Sequence, residues 1–154
     1  MTPTPQITIR RAEAADAAAV ARLLHDFNTE FGDPTPGVAA LTERAGEMIA
    51  AEEMIVMLAG ERPEGLAQLR LRPSVWSGAL DAYLEEVYVA PAHRGRGIGR
   101  ALLESVLEVA RAQGATRIDL GTSETDTAAI GLYESCGFSN LEHGAKMLFY
   151  ERDL

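Results

Sequence analysis

The sequence predicts an α/β fold of the α+β type, one domain on a mixed central sheet. Two observations predict that class. Short alternating apolar runs and longer stretches of helical periodicity follow one another as β-α-α-β-β-β-α-β-α-β, with no repeat, linker or low-complexity stretch between them. The 154 residues, 47% of them hydrophobic, suffice for a single domain over 1–154 with a core of its own.

Each element has a local reason. "QITIR" (6–10) reads as the opening strand, and Asp16 is placed to cap the helix that follows. Val20, Leu23, Leu24, Phe27 and Phe31 repeat at helical spacing until "FGDPTPG" (31–37) breaks the pattern. Val38, Leu41, Ala45, Met48 and Ile49 mark a second helix. "MIVMLAG" (54–60) and "GLAQLRLRPS" (65–74) read as strands joined by a turn at "ERPEG". In the second of them Leu69 and Leu71 alternate with Arg70 and Arg72, which leaves one face wet. "DAYLEEVYVAP" (81–91) is a strand stopped by Pro91. The next helix presents Leu102, Leu103, Val106, Leu107 and Ala110 on one face and closes at Gly114. "TRIDLGT" (116–122), a short helix over 126–137 and a final strand "KMLFYE" (146–151) complete the order.

Composition excludes several classes. No apolar run is long enough to span a membrane. "MTPTPQITIRRAE" lacks a basic segment followed by an apolar one, so a cytoplasmic protein is expected. The single cysteine, Cys136, has no internal disulfide partner. The formal net charge of -9 argues against a nucleic-acid partner. The one basic cluster, Arg94, Arg96 and Arg100, sits among glycines and points to a small anion bound locally. His25, His93 and His143 are scattered without metal-ligand spacing, so no metal is expected.

That cluster is the informative stretch. In "RGRGIGR" (94–100) a strand delivers the chain to a glycine-rich turn and a helix leaves it. The first turn of a helix has unpaired N–H groups and partial positive charge, which suits a phosphate or pyrophosphate. Glycine lets the ligand approach the backbone, and arginine can clamp the outer oxygens. Gly99 is followed by Arg100 and Ala101, which excludes a P-loop, and the G-x-G-x-G spacing excludes the dinucleotide fingerprint G-x-G-x-x-G.

"VYVAPAHRGRGIGRALL" resembles the acetyl-CoA motif Q/R-x-x-G-x-G/A of the GNAT family of N-acetyltransferases, through Arg94, Gly97 and Gly99. A second family element, N-x-x-A-x-x-L-Y-x-x-x-G-F, is matched by Ala129, Leu132, Tyr133, Gly137 and Phe138, with Asp126 in place of the asparagine. The resemblance extends over 6–151, and "AYLEEVYVAP" is similar to the diamine and polyamine acetyltransferase branch. It implies a mostly antiparallel sheet flanked by helices, an acetyl-CoA cosubstrate, and direct attack of a primary amine on the thioester.

Residue roles follow from the resemblance. Val87, Tyr88 and Val89 would hold acetyl-CoA through their main chain, on a strand that parts from its neighbour. Arg94, Gly95, Arg96, Gly97, Ile98, Gly99 and Arg100 would hold the pyrophosphate. Asp126 would cap its helix and add an amide contact to the pantetheine arm. Tyr133 would protonate the departing thiolate. Glu85 is the candidate for receiving the amine's proton, because it shares a strand face with Val87, while Glu86 points to the other face unless a bulge intervenes. Phe27, Glu30, Phe31 and Asp33 lie where the family borders its acceptor, and with Glu86 they offer an aromatic and acidic lining for an alkylammonium. The acceptor is expected to be a small-molecule amine or a protein amine, without nucleic acid or membrane. Homodimers are common in the family and form a further expectation. The rival readings are a non-catalytic acyl-CoA-binding regulator and an acyltransferase for longer acyl groups.

Overall fold

The computed structural model describes residues 6–154; the first five residues of the N-terminal stretch lie outside the described residues. The chain forms two compact units, one ending at Asp119 and the other Leu120–Leu154. The first unit runs β1 (Ile9–Arg11), α1 (Ala17–Phe31), α2 (Val38–Ala50), β2 (Ile55–Ala59), β3 (Gly65–Pro73), β4 (Leu80–Val89), α3 (Ile98–Ala112) and β5 (Ala115–Asp119). The second holds α4 (Thr127–Ser135), β6 (Leu141–Glu142) and β7 (Ala145–Lys146).

The five strands of the first unit lie in chain order, β1-β2-β3-β4-β5. The first three pairings are antiparallel, and β4–β5 is parallel with α3 as its crossover. This is the mixed, mostly antiparallel sheet that was expected. All of β2 and the first five residues of β3 are buried, so the sheet is covered on both faces there. One face carries Val56, Leu58, Leu66 and Tyr88 against Val20 and Leu23 of α1 and Ala45 of α2. The other face receives Leu102, Leu103 and Val106 of α3, all fully buried. The helix periodicities therefore mark the right stripes, while Arg70 and Arg72 are exposed as the alternation requires.

Gly65 is fixed by that packing. A Cβ there would lie 2.8 Å from the Tyr88 carbonyl oxygen and 3.3 Å from Leu102 Cδ1. Strand β3 can approach β4 and α3 this closely only without a side chain at that position.

Two local expectations need correction. Asp16 stands at the N-cap of α1 but makes no cap bond to it. Its carboxylate instead accepts from Arg10 Nη1 and Nη2, each at 2.8 Å, and from the Glu13 N–H at 2.8 Å. These bonds lower its pKa to about 2 and close a short 3-10 turn before α1. The final strand is also shorter than "KMLFYE" predicts. His143 and Gly144 both take positive φ, 51° and 81°, and fold Leu141–Glu142 onto Ala145–Lys146 as a tight hairpin. One further bond, from the Met147 N–H to the Asn140 carbonyl at 2.7 Å, extends the hairpin, and the Phe149 ring packs on Gly121. Leu148, Phe149 and Tyr150 are exposed, so here the apolar run marks neither a long strand nor a buried one.

Candidate active site

Strand β4 changes partners along its length. Its pairing with β5 ends at Tyr83↔Asp119, while its pairing with β3 continues to Val89. The Ala90 N–H donates to the Glu64 carbonyl at 2.8 Å, which sets the alternation. Tyr88 and Glu86 then turn their main chain toward β3, and Val87 and Val89 turn theirs away from it. The Val89 carbonyl accepts from Arg94 Nε at 2.9 Å. The strand end thus offers backbone groups along an edge that β5 has left.

The same strand carries a bulge. Leu84 faces Leu69 and Glu86 faces Gln68, so Glu85 is the extra residue between them. Glu86 shares the face of Tyr88 and Leu66, toward α1. Glu85 accepts from Gln68 Nε2 at 2.6 Å and from Arg70 Nη1 at 3.1 Å, and both donors lie on that face. The bulge therefore brings both carboxylates to one side, where regular alternation separates them. Glu85 also lines a cleft of about 290 Å³ with Arg70, Leu71, Arg72 and Tyr83.

The two glutamates differ electrostatically. Glu85 is held by an amide and a guanidinium, whereas burial, then the charges of Glu85 and Asp33, push Glu86 up to about 7. Asp33 is placed by the loop after α1. Its N–H donates to the Asn28 carbonyl at 2.8 Å, and Asn28 Nδ2 donates to the Pro34 carbonyl at 2.8 Å. His25 Nδ1 and Thr35 Oγ1 are 3.1 Å apart, a second tie on the same loop. Phe27 packs on Tyr88 with ring centroids at 5.1 Å, while Phe31 is 57% exposed at the helix end. Phe27 is therefore core, and Phe31 is the accessible ring of the pair.

The glycine turn joins positive-φ glycines to a helix N-terminus. Gly95 and Gly97 take φ of 76° and 82°, and Gly97 is the N-cap of α3. The first intrahelical bond is Ala101 N–H to the Gly97 carbonyl, so the Ile98 and Gly99 N–H groups head the helix without an intrahelical acceptor. The arginine side chains are engaged with protein groups. Arg94 Nη2 donates to both Glu30 oxygens at 2.9 and 2.8 Å, and its guanidinium lies 5.7 Å from the Tyr88 ring centroid. Arg96 Nη1 lies 3.0 Å from His93 Nδ1, and Arg100 Nη1 lies 4.0 Å from Glu104.

In the second unit Asp126 caps α4 by accepting from the Ala129 N–H at 3.1 Å, as expected. Tyr133 lies on α4 in edge contact with Phe138, centroids 5.9 Å apart. No cluster that could hold a metal ion occurs among the described residues, and no described helix is long and apolar enough to cross a membrane. The sequence assigns no site role to Gln68, Arg70 or Asn28, and Arg70 is expected only on the wet face of its strand. Gln68 stands out as a polar residue inside an apolar strand, and it is buried to 7% exposure.

The model of the acetyltransferase (GNAT) family matches residues 18–138. An aminoglycoside N(6')-acetyltransferase type 1 from Stenotrophomonas maltophilia is 33% identical over 138 residues, 88% of each chain. A thialysine N-epsilon-acetyltransferase from Mus musculus is 37% identical over 68 residues, 44% of this chain and 39% of that one. The solved structure of an acetyltransferase candidate from Arthrobacter sp. FB24 superposes with a TM-score of 0.89 at 46% identity, covering 96% of each chain. The chain belongs to the GNAT acetyltransferase family. It is an N-acetyltransferase of that family, whose acyl donor is acetyl-CoA.

Proposed function

We propose that the protein transfers acetyl from acetyl-CoA to a primary amine of a small molecule that carries a further cationic centre, by direct attack in a ternary complex. The observation that carries this reading is the bulge on β4. It sets Glu85 and Glu86 on one face beside the strand edge that β5 has left, with Glu86 pushed up to about 7. The pyrophosphate would sit on the N–H groups at Gly97–Arg100, and the pantetheine arm along the main chain of Val87 and Val89. An alkylammonium with a pKa near ~10 has no lone pair and must shed its proton before or as the C–N bond forms. Once that bond forms, the nitrogen becomes strongly acidic, and a carboxylate poised near neutrality can take its proton. This role is assigned to Glu86, while Glu85, tied to Gln68 and Arg70, orients the site. Tyr133 is assigned the proton for the departing CoA thiolate. The acidic lining of Glu85, Glu86 and Asp33 and the aminoglycoside-acetylating relative support a polycationic acceptor.

A screen of polyamines, lysine analogues and aminoglycosides with acetyl-CoA, read by thiol release, tests the acceptor. On the best amine, log kcat/KM should rise with pH more steeply below about 7, where Glu86 is still losing its proton, than above it, where only the amine's own deprotonation contributes. Glu86→Gln should lower it roughly 10²–10⁴-fold and remove that break in slope. If Glu85→Gln has that effect and Glu86→Gln keeps the wild-type profile, the roles are reversed. Tight CoA binding with no thiol release on any of these amines would place the acceptor outside the classes screened.

A further inference from the structure

We infer that Glu30 is a positioning residue for the acyl-CoA turn, acting through Arg94, and does not bind the acceptor. The inference rests on the cofactor placement proposed above. Arg94 is the first residue of the turn, adjoining Gly95. Its guanidinium makes two kinds of bond at once, Nε to the Val89 carbonyl at 2.9 Å and Nη2 to both Glu30 oxygens at 2.9 and 2.8 Å. Glu30 is fixed in turn by the buried Tyr88, whose hydroxyl donates to Oε1 at 3.0 Å. The clasp therefore joins the last turn of α1, the end of β4 and the entrance to the glycine turn.

A second tie lies within the turn, Arg96 Nη1 at 3.0 Å from His93 Nδ1 and His93 Nδ1 at 3.4 Å from Glu64, while the clasp is the side-chain tie at its entrance. A Cβ on Gly95 would meet nothing within 4 Å, and the Arg94 N–H reaches the Pro91 carbonyl only at 3.4 Å. A turn of positive-φ glycines binds an anion well only if its N–H groups are already converged, since ordering them on binding consumes affinity. Glu30 supplies that order from outside the turn. Its carboxylate is occupied by Arg94 and Tyr88, so an incoming ammonium would have to displace a charge-assisted pair. Placing a negative charge near a phosphate site is unhelpful by itself, so any benefit must come through Arg94.

Titration calorimetry with CoA as the probe tests this on wild type, Glu30→Gln, Arg94→Gln, Arg94→Lys and the double variant Glu30→Gln/Arg94→Gln. Each single change should raise the Kd for CoA roughly three- to tenfold, and the double variant should be no worse than the weaker single. Arg94→Lys is the discriminating case. It keeps the charge a phosphate would feel but cannot reach the Val89 carbonyl and Glu30 together, so it should lose as much as Arg94→Gln. The KM for acetyl-CoA should rise in Glu30→Gln, with the KM for the amine nearly unmoved. An unchanged Kd for CoA with a raised KM for the amine would return Glu30 to the acceptor site and overturn the proposal. Additive losses, or wild-type affinity in Arg94→Lys, would overturn it as well. Wild type that takes up no CoA would sink the cofactor placement and this proposal together, whereas normal wild-type binding with an indifferent Glu30→Gln sinks this proposal alone.

Discussion

Glu86 is a carboxyl whose surroundings oppose its ordinary ionisation. Burial, the neighbouring charge of Glu85 and the charge of Asp33 all disfavour its ionised form and push it up to about 7 from 4.5. The same shift acts on folding. A carboxyl with a raised folded-state pKa holds its proton better folded than unfolded, so its stabilising contribution is full below about 4.5 and is lost as pH rises through about 7. Glu86→Gln removes that loss. Its Tm should match wild type most closely near pH 4.5 and exceed it increasingly toward pH 8, by roughly 2–4 °C for each kcal/mol recovered. Thermal melts of both proteins across that range check it, and a Tm difference that is flat with pH would show that Glu86 ionises freely. The variant that is more stable at pH 8 should also be the slower enzyme, as expected where a site is held in an unfavourable charge state.

At the scale of elements, strand β4 serves two ends. Over Leu80–Tyr83 it is an interior strand between β3 and β5, and beyond that it keeps β3 alone. The close contact at Gly65 holds that remaining pair together, because its missing Cβ lets the Tyr88 carbonyl approach. Gly65→Ala should therefore lower stability by about 1–3 kcal/mol through forced separation of β3, β4 and α3. Denaturant melts would show it, and a change within ±0.5 kcal/mol would mean that the strands shift freely. Much of this was legible beforehand. Periodicity locates the helices and central strands, and Gly95, Gly97 and Gly99 mark the turn. The bulge was not legible, because nothing local in "YLEEVYV" distinguishes a regular strand from one with Glu85 inserted; the register is set by β3. The clasp between Glu30 and Arg94 was equally hidden, since it joins side chains 64 positions apart. Arg94 resembles a phosphate ligand from its neighbours in sequence, and its bonds to Glu30 form only once α1 is packed.

Charge is spread unevenly over the whole molecule. The chain carries -9 formally, yet its one basic cluster surrounds the turn that would receive an anionic cosubstrate. For acetyl-CoA the local attraction of that cluster and the long-range repulsion of the whole chain oppose each other. For a polycationic amine the long-range field and the local carboxylates Glu85, Glu86 and Asp33 act in the same direction. Salt screens the long-range part over about 10 Å at 0.1 M and touches short, partly buried contacts much less. Raising ionic strength from about 20 to about 200 mM should therefore lower kcat/KM for a triamine roughly three- to tenfold, through a higher KM. A monoamine of similar length should lose less, since it gathers less of the field. The KM for acetyl-CoA should move by no more than about twofold, its two contributions weakening together. Initial rates against both substrates at several salt concentrations test all three expectations at once. Parallel salt dependence for triamine and monoamine would mean that the surplus acid plays no part in gathering the acceptor, and would leave the carboxylates of β4 with proton transfer alone.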